Sequence, residues 1–294
     1  MILSDALTCT VPPLRAESSL LKTPILQMRG GAHFPPRAHL ALGGVERACP
    51  VMAPMLVAWT PPVYHPAAAA TLRGQLGFVP WNWMGESHAA DGDELAAITL
   101  YPLTAETSVR KGRQRVRLKC TQPWPTSYWL TSPALRTSVS KLEAAGMIPL
   151  LSDELRRRPA LCAALEAQHA GYAARRWARM LPADHALALR SASWTLALRD
   201  SGIGGIPSGG GVKCLHLHYA TYLATRDSLL GEWTHAALAS GLADACDQLC
   251  QTRPRDSDGA CLPLRRDGPV GAAAVRLLDE IGEQHAHTPH RTIT

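Results

Sequence analysis

The sequence has no stretch long and apolar enough to form a membrane-spanning helix. Proline, arginine or glycine interrupts each apolar run before the roughly 18–20 residues that a bilayer span needs. The opening MILSDALTCTV has no basic start and contains Asp5, so it does not resemble a secretory signal peptide. Asp5 and Glu17 are the only acids up to Gly44, which permits an organellar transit peptide. We therefore expect an intracellular protein without a membrane span, cytoplasmic by default, with organellar import as the alternative.

Cysteine patterns typical of disulfide-rich domains are also missing. The eight cysteines are too sparse and irregular for a disulfide framework, and the chain has no CxxC. No internal repeat or heptad array occurs. The segment GIPSGGGVK fails the P-loop pattern because Val212 stands where that pattern has glycine and Cys214 where it has Ser or Thr. These absences exclude a P-loop nucleotide hydrolase and a repeat protein, and they favour reduced thiols.

The composition is that of an ordinary globular protein. Of 294 residues, 46% are hydrophobic and 18% charged, which suffices for a substantial core. The net charge of +6 is modest and its basic residues are spread over several segments, so nucleic acid is not the expected partner. The alternating basic residues from Arg110 to Lys119 are more typical of a solvated strand edge than of an RNA-binding surface.

Local patterns predict few strands and many helices. Strands are expected at ELAAITLYPL, RQRVRLKC and SYWLTSP, where β-branched and aromatic residues are frequent. Helices are expected from the alanine run before TLRGQL, after Ser132-Pro133, on both sides of Pro159, over HALALRSASWTLALRDSG, over VKCLHLHYATYL, from Gly231 and over GAAAVRLLDEIG. The sequence therefore predicts an α+β protein with a small, mostly antiparallel sheet packed with a majority of helices.

Domain organisation follows from the proline-rich start and the polar end. Residues 1–70 are interpreted as a poorly ordered or targeting extension. Residues 71–250 are interpreted as a single α+β domain. Residues 251–294 are interpreted as a polar linker with one weak helix.

Several segments taken together resemble a known family. In order they are QLGFVP, LYPL, PWPTSYWLTSPALRTSVSKLEAAG, HAGYAARR, GIGGI, VKCLHLHYATYLA and GEWTHAAL. They resemble Domain of Unknown Function 501, a bacterial and plant family, over roughly Leu72 to Leu238. Because that family has no established activity, the resemblance supplies no catalytic residue and no cofactor. The chain departs from some members by the neutral insert PSGGG between GIGG and VKCLH, where they carry more basic residues.

The segment from Val212 to Leu223 holds the sharpest group of functional side chains. In a helix, Cys214 and His218 would lie one turn apart, the spacing at which two side chains hold one metal ion. Lys213 and His216 would share another face. A buried thiol and hydrogen-bonded histidines are the structural alternative.

The same residues allow two further kinds of chemistry. Cys214 would be a nucleophile with His218 as its base, and His169, in a polar cluster on another helix, is a third catalytic candidate. Alternatively, backbone N–H groups at Gly210 and Gly211 would hold a small phosphate- or carboxylate-bearing ligand, with Lys213 and His216 as further contacts.

A non-enzymatic adaptor is the competing class of function. Trp124, Tyr128 and Trp129 would form its protein-binding surface if they were exposed, although core packing is the commoner role of such aromatics. Our leading expectation is a protein that binds a small anionic ligand at the VKCLH helix. An adaptor with a protein partner and a domain stabilised by metal at Cys214 and His218 are the alternatives.

Overall fold

The described part of the chain is mainly helical. The computed structural model describes residues 58–88, 95–111, 114–206, 211–253 and 263–287, all of which lie in one compact unit, Val51–Thr294. Side chains are described in these ranges except for those of residues 106–120 and 286–287. Within them, helices predominate and five strands form two small antiparallel sheets, so the predicted α+β class is confirmed.

Ten α-helices follow one another in the described ranges. They are α1 (Pro66–Leu76), α2 (Pro133–Ala144), α3 (Met147–Arg156), α4 (Pro159–Ala178), α5 (Pro182–Ala188), α6 (Ala192–Thr195), α7 (Leu215–Thr225), α8 (Leu229–Ala239), α9 (Leu242–Thr252) and α10 (Pro269–His287). A π-helical turn (Leu196–Asp200) continues α6, and a 3-10 turn (Ile203–Gly205) precedes α7. Among these helices, none is both long and apolar enough to cross a membrane.

The strands form one three-stranded and one two-stranded sheet. They are β1 (Trp83–His88), β2 (Leu95–Leu100), β3 (Leu103–Lys111), β4 (Gln114–Pro123) and β5 (Tyr128–Leu130). The first sheet has the order β1-β2-β5, and the second pairs β3 with β4. The predicted strands are present as β2, β4 and β5, whereas β1 and β3 were not predicted. The sequence of β1 lacks the regular alternation of apolar and polar residues that predicts a strand. Two register shifts also interrupt its pairing with β2.

Helix boundaries follow the local signals in most places. Ser132 accepts a hydrogen bond from the Leu135 N–H at the start of α2, and Pro159 separates α3 from α4, as predicted. The single helix expected over HALALRSASWTLALRDSG is wrong. It ends at Ala188, because Ser191 is extended and caps a new helix through the Trp194 N–H.

Helix α7 lies at the centre of the largest core. It contacts β2 and β5 of the first sheet, α8, and the end of α2. Its buried residues include Leu215, Tyr219 and Ala220, which pack in the same cluster as the fully buried Trp233 of α8. Because it is enclosed by strands and helices, α7 is apolar over much of its surface and owes its stability to tertiary packing.

The C-terminal helix contributes to this core. The weak helix expected over GAAAVRLLDEIG is the 19-residue α10, and Ala274, Leu278 and Ile281 are buried in the same cluster as α7. The indole N–H of Trp233 donates to the Ala274 carbonyl at 3.1 Å. These contacts hold α10 against α8.

A buried carboxylate joins three elements near α10. The Glu154 side chain of α3 is 1% exposed and accepts hydrogen bonds from Arg157 at 2.7 Å, from Arg158 and from Arg266 at 2.6 Å. Arg158 also pairs with Asp279 of α10. Burial alone would raise the pKa of Glu154, but hydrogen bonds and charges from Arg266 and Arg158 outweigh it and hold the pKa at about 2.

We predict that Glu154→Gln lowers the free energy of unfolding at neutral pH by about 1.5–3 kcal/mol, because charged hydrogen bonds are lost. The folded-state pKa lies below the ordinary value of 4.5, so the unfolded chain binds more protons between them. The carboxylate's contribution is therefore present above pH 4.5 and is lost as the pH falls towards 2. Urea denaturation as a function of pH measures this loss, which the variant should lack.

Asp153→Asn provides the matched control on the same helix. Asp153 pairs with Arg156 at an exposed position, so its loss should cost less than about 0.5 kcal/mol. Equal destabilisation by the two variants would contradict a special role for Glu154.

Candidate functional site

The start of α7 is fixed by a carboxylate from another helix. Glu143 lies near the end of α2, and its Oε1 accepts the Leu215 N–H at 2.6 Å. Leu215 is the first residue of α7, and Cys214 before it is extended, with φ of −160° and ψ of 123°. The N-terminus of α7 therefore already holds an anionic group, which is supplied by the protein itself.

His216 stands beside this carboxylate in the first turn of α7. Its Nδ1 is 3.1 Å from Glu143 Oε1 and 3.7 Å from Cys214 Sγ. Its Nε2 is 3.1 Å from the Arg136 carbonyl oxygen and 3.3 Å from Ser140 Oγ. A carbonyl oxygen only accepts, so Nε2 carries a hydrogen and Nδ1 faces the carboxylate and the thiol.

The electrostatics of this group favour charged side chains. Burial alone would lower the pKa of His216, but hydrogen bonds with Cys214 and Glu143 and the charge of Glu143 outweigh it and raise the pKa to about 10. Burial alone would raise the pKa of Glu143, yet its interactions with His216, the Leu215 N–H and Cys214 lower it. At neutral pH the His216 ring is therefore protonated, and its Nδ1 faces the Glu143 carboxylate.

Glu143, Cys214 and His216 together form a metal-compatible group of donors. Each offers one ligand atom, and these atoms lie within 4.8 Å of one another. In the described part of the chain, no other group of three His, Cys, Asp or Glu side chains meets this condition. We refer to the three residues as the ECH cluster.

The predicted pair of Cys214 and His218 is not formed. Because α7 begins after Cys214, the thiol is not on the helical face that carries His218. His218 is instead buried, 1% exposed, with its ring centroid 5.8 Å from that of His169. Burial and the neighbouring His169 lower the pKa of His218 to about 3, so its ring is neutral.

Lys213 and His216, which were expected on one helical face, also have separate partners. Lys213 precedes the helix, is exposed, and donates to the Gly204 carbonyl oxygen at 3.1 Å. Gly211 is exposed, with φ of 144°. Gly210 lies outside the described residues. The structure thus brings together Cys214 and His216, but not with the lysine.

His169 of α4 bonds to backbone at two described positions before α7. Its Nδ1 accepts the Ile203 N–H at 3.0 Å, so its Nε2 donates to the Gly211 carbonyl oxygen at 3.3 Å. Burial lowers the pKa of His169, outweighing the opposing effect of that hydrogen bond. These contacts hold the described backbone at Ile203 and at Gly211, which lies two residues before Lys213.

The segments that carry the family resemblance meet around the two buried histidines. A Cβ on Gly202 of GIGGI would lie 2.6 Å from the His169 ring, which belongs to HAGYAARR. A Cβ on Gly231 of GEWTHAAL would lie 2.3 Å from the His218 carbonyl oxygen. Glycine at these two places permits the close approach of neighbouring backbones and rings.

Two further polar side chains of α4, Tyr172 and Arg176, bond to backbone outside the helix. Arg176 is fully buried and donates to the carbonyl oxygens of Leu198 at 2.7 Å and Pro125 at 2.9 Å. The Tyr172 hydroxyl accepts the Ser127 N–H at 2.6 Å. These bonds satisfy loop backbone around β5 and the π-helical turn, which explains why an arginine is buried there.

The aromatic group for which core packing was the commoner expectation and a protein-binding surface the alternative packs against the sheet. Tyr128 is 2% exposed, and Trp124 and Trp129 are partly buried against the sheet cluster that contains Trp83. The side chains of the basic run from Arg110 to Lys119 lie outside the described side chains. Cys246 of α9 is fully buried.

Glu143 was not predicted from the sequence. It occurs in KLEAAG near the end of α2, far along the chain from Cys214, and no local motif connects the two. Only the tertiary contact between α2 and α7 brings its carboxylate to Leu215 and His216.

We predict that Gly202→Ala lowers the free energy of unfolding by about 1–3 kcal/mol, since the new methyl group would overlap the His169 ring. Gly74→Ala is the control, because it lies inside α1 with nothing within 4 Å and should stabilise the protein by about 0.5–1 kcal/mol. Chemical denaturation measures both. An unchanged free energy of unfolding in Gly202→Ala would contradict the described packing of His169.

Comparison with known proteins identifies a family without an assigned activity. A family model described as "Protein of unknown function (DUF501)" matches residues 91–236, about half of the chain. No curated protein and no solved structure matches. The matched range includes the ECH cluster, both buried histidines and the loop between them. The chain therefore belongs to the DUF501 family.

Proposed function

We propose that this protein binds one divalent transition-metal ion, of the zinc class, at the ECH cluster. The observation that carries the proposal is the convergence of a thiol, an imidazole nitrogen and a carboxylate within 4.8 Å of one another. Thiolate and imidazole are ligands that zinc accepts readily, and carboxylate completes its usual set.

The distances within the cluster suit a shared ion. In a tetrahedral zinc site, bonds of about 2.3 Å to sulfur and about 2.0 Å to nitrogen or oxygen place the donor atoms roughly 3.3–3.5 Å apart. Nδ1 of His216 is 3.7 Å from Cys214 Sγ and 3.1 Å from Glu143 Oε1. An ion pair between His216 and Glu143 accounts for the second distance, but it gives no reason for a thiol at the same point.

The surroundings of the cluster match those of metal ligands. A metal-bound histidine commonly donates its other ring N–H to a backbone carbonyl, as His216 does to Arg136. Glu143 is oriented in turn by the Leu215 N–H. These contacts fix both ligands before an ion arrives.

Metal binding would replace protons at this site. Nδ1 of His216 must be free to coordinate, and Cys214 coordinates as a thiolate, so a bound ion displaces a proton from each. The ion would take the place of the Nδ1 proton that lies between His216 and Glu143. The affinity should therefore fall as the pH is lowered.

The test is zinc titration of the chelator-stripped full chain, with elemental analysis of the product. We expect one zinc per chain. Cys214→Ser and His216→Gln should each weaken binding by more than about 100-fold, since even an outer-shell partner contributes about 10- to 100-fold. Glu143→Gln should weaken it as well.

Two control variants make this test specific. Cys250→Ser removes a half-buried thiol on α9 and should leave the affinity unchanged. His218→Gln distinguishes the ECH cluster from the pair of Cys214 and His218 that the sequence suggested. This variant should retain zinc, and circular dichroism checks that it is folded. Zinc-free wild-type protein, or equal losses in His218→Gln and His216→Gln, would overturn the proposal.

A further inference from the structure

We infer that the metal at the ECH cluster takes a fourth ligand from outside the protein, namely a small molecule with an anionic oxygen such as a carboxylate or phosphate. This inference rests on the proposed metal site and specifies its ligand class. It differs from anion binding at the helix N-terminus, because the ligand would bind the ion itself.

The ECH cluster supplies three protein donors to the ion. Zinc prefers four ligands, and sites that use three protein ligands keep one position for water or substrate. Among the described residues, the cluster contains three such side chains and no fourth. His218, the nearest histidine along α7, is turned into the core against His169.

The side chains of the ECH cluster are partly accessible to solvent. The side chains of His216 and Glu143 are 19% and 23% exposed, and Cys214 is half-buried. All three side chains of the cluster are thus partly exposed where α2 meets the start of α7. Partial exposure is what a site with an external ligand requires.

The charges near the ECH cluster bear on the kind of ligand that the ion would take. A divalent ion with one thiolate, one carboxylate and a neutral histidine has no net charge, so the choice of ligand depends on the charges nearby. Lys213 directly precedes Cys214 and is exposed, and its Nζ donates to a carbonyl oxygen rather than to an acid. By contrast, Lys141 on α2 is paired with Asp244 and Asp247. Among the described residues, Lys213 is therefore a cation next to Cys214 in sequence for which no ion pair with a carboxylate is seen.

The helix N-terminus does not compete for this ligand. The Leu215 N–H is already bonded to Glu143 at 2.6 Å. A carboxylate or phosphate that bound there would have to displace the protein's own carboxylate, whereas coordination to the metal leaves that bond intact. The anionic ligand expected from the sequence is therefore assigned to the ion.

The test uses the full chain loaded with Co²⁺ in place of zinc, whose visible absorption reports the ligands of the ion. Sodium acetate and inorganic phosphate are titrated separately, with sodium perchlorate at equal ionic strength as the control. We expect saturable changes in the cobalt bands with acetate, phosphate or both, and none with perchlorate. The two titrations distinguish a carboxylate from a phosphate ligand.

Paired lysine variants test whether Lys213 contributes to anion binding. Lys213→Ala should weaken anion binding by about 2- to 5-fold, the effect of one partly exposed charge, and leave cobalt affinity unchanged. Lys141→Ala should leave both unchanged. Equal effects of the two variants on anion binding would overturn the assignment of Lys213.

The possible failures are distinguishable. If the chain does not bind cobalt, the proposed metal site fails. If cobalt binds but its spectrum is the same in acetate, phosphate and perchlorate, the metal site stands and the inference of an external anionic ligand is overturned.

Discussion

The hydrogen bond from the Leu215 N–H to the Glu143 carboxylate determines the geometry of the candidate site. It joins α2 to α7 and sets the residue at which α7 begins. Because the helix starts there, Cys214 stays extended and points its sulfur towards the His216 ring, which is one residue into the helix. A start one turn earlier would place Cys214 and His218 on one face instead. The chemistry available at this end of α7 thus depends on a side chain from a different helix.

A second set of contacts holds the approach to α7 in place. His169 bonds to backbone at Ile203 and at Gly211, the two described positions that flank residues 207–210. Both buried histidines are neutral, since burial lowers their pKa values. Their described contacts are with backbone, Ser228 and each other. The family segments that contain these histidines and the close-packed glycines consequently build a scaffold, on which the ECH cluster lies nearer the surface.

The sequence predicts the elements that depend on local signals. Ser132-Pro133 caps α2, Pro159 divides α3 from α4, and Gly77 ends α1 in a left-handed conformation. The predicted helix near His185 was too long, because the extended Ser191 starts a new helix at a position where apolar periodicity continues. Local signals therefore account for most boundaries but not for breaks that depend on backbone conformation.

The candidate site could be predicted only in part. Cys214 and His216 were singled out because rare functional groups cluster there, but their assignment to faces assumed a helix that begins before Cys214. Glu143 could not be found, since its role depends on the packing of α2 against α7.

The domain boundaries near residues 70 and 250 remain predictions. The backbone N–H of Trp59 donates to Asp184, and α10 packs on α8, so both flanks contribute contacts to the described structure.

The most direct measurement of the central claim is zinc X-ray absorption of the full chain loaded with one equivalent of metal. We expect one sulfur ligand at about 2.3 Å and nitrogen or oxygen ligands at about 2.0 Å, with multiple scattering from one imidazole. A spectrum without sulfur, or one with two or more sulfur ligands, would contradict coordination by Glu143, Cys214 and His216.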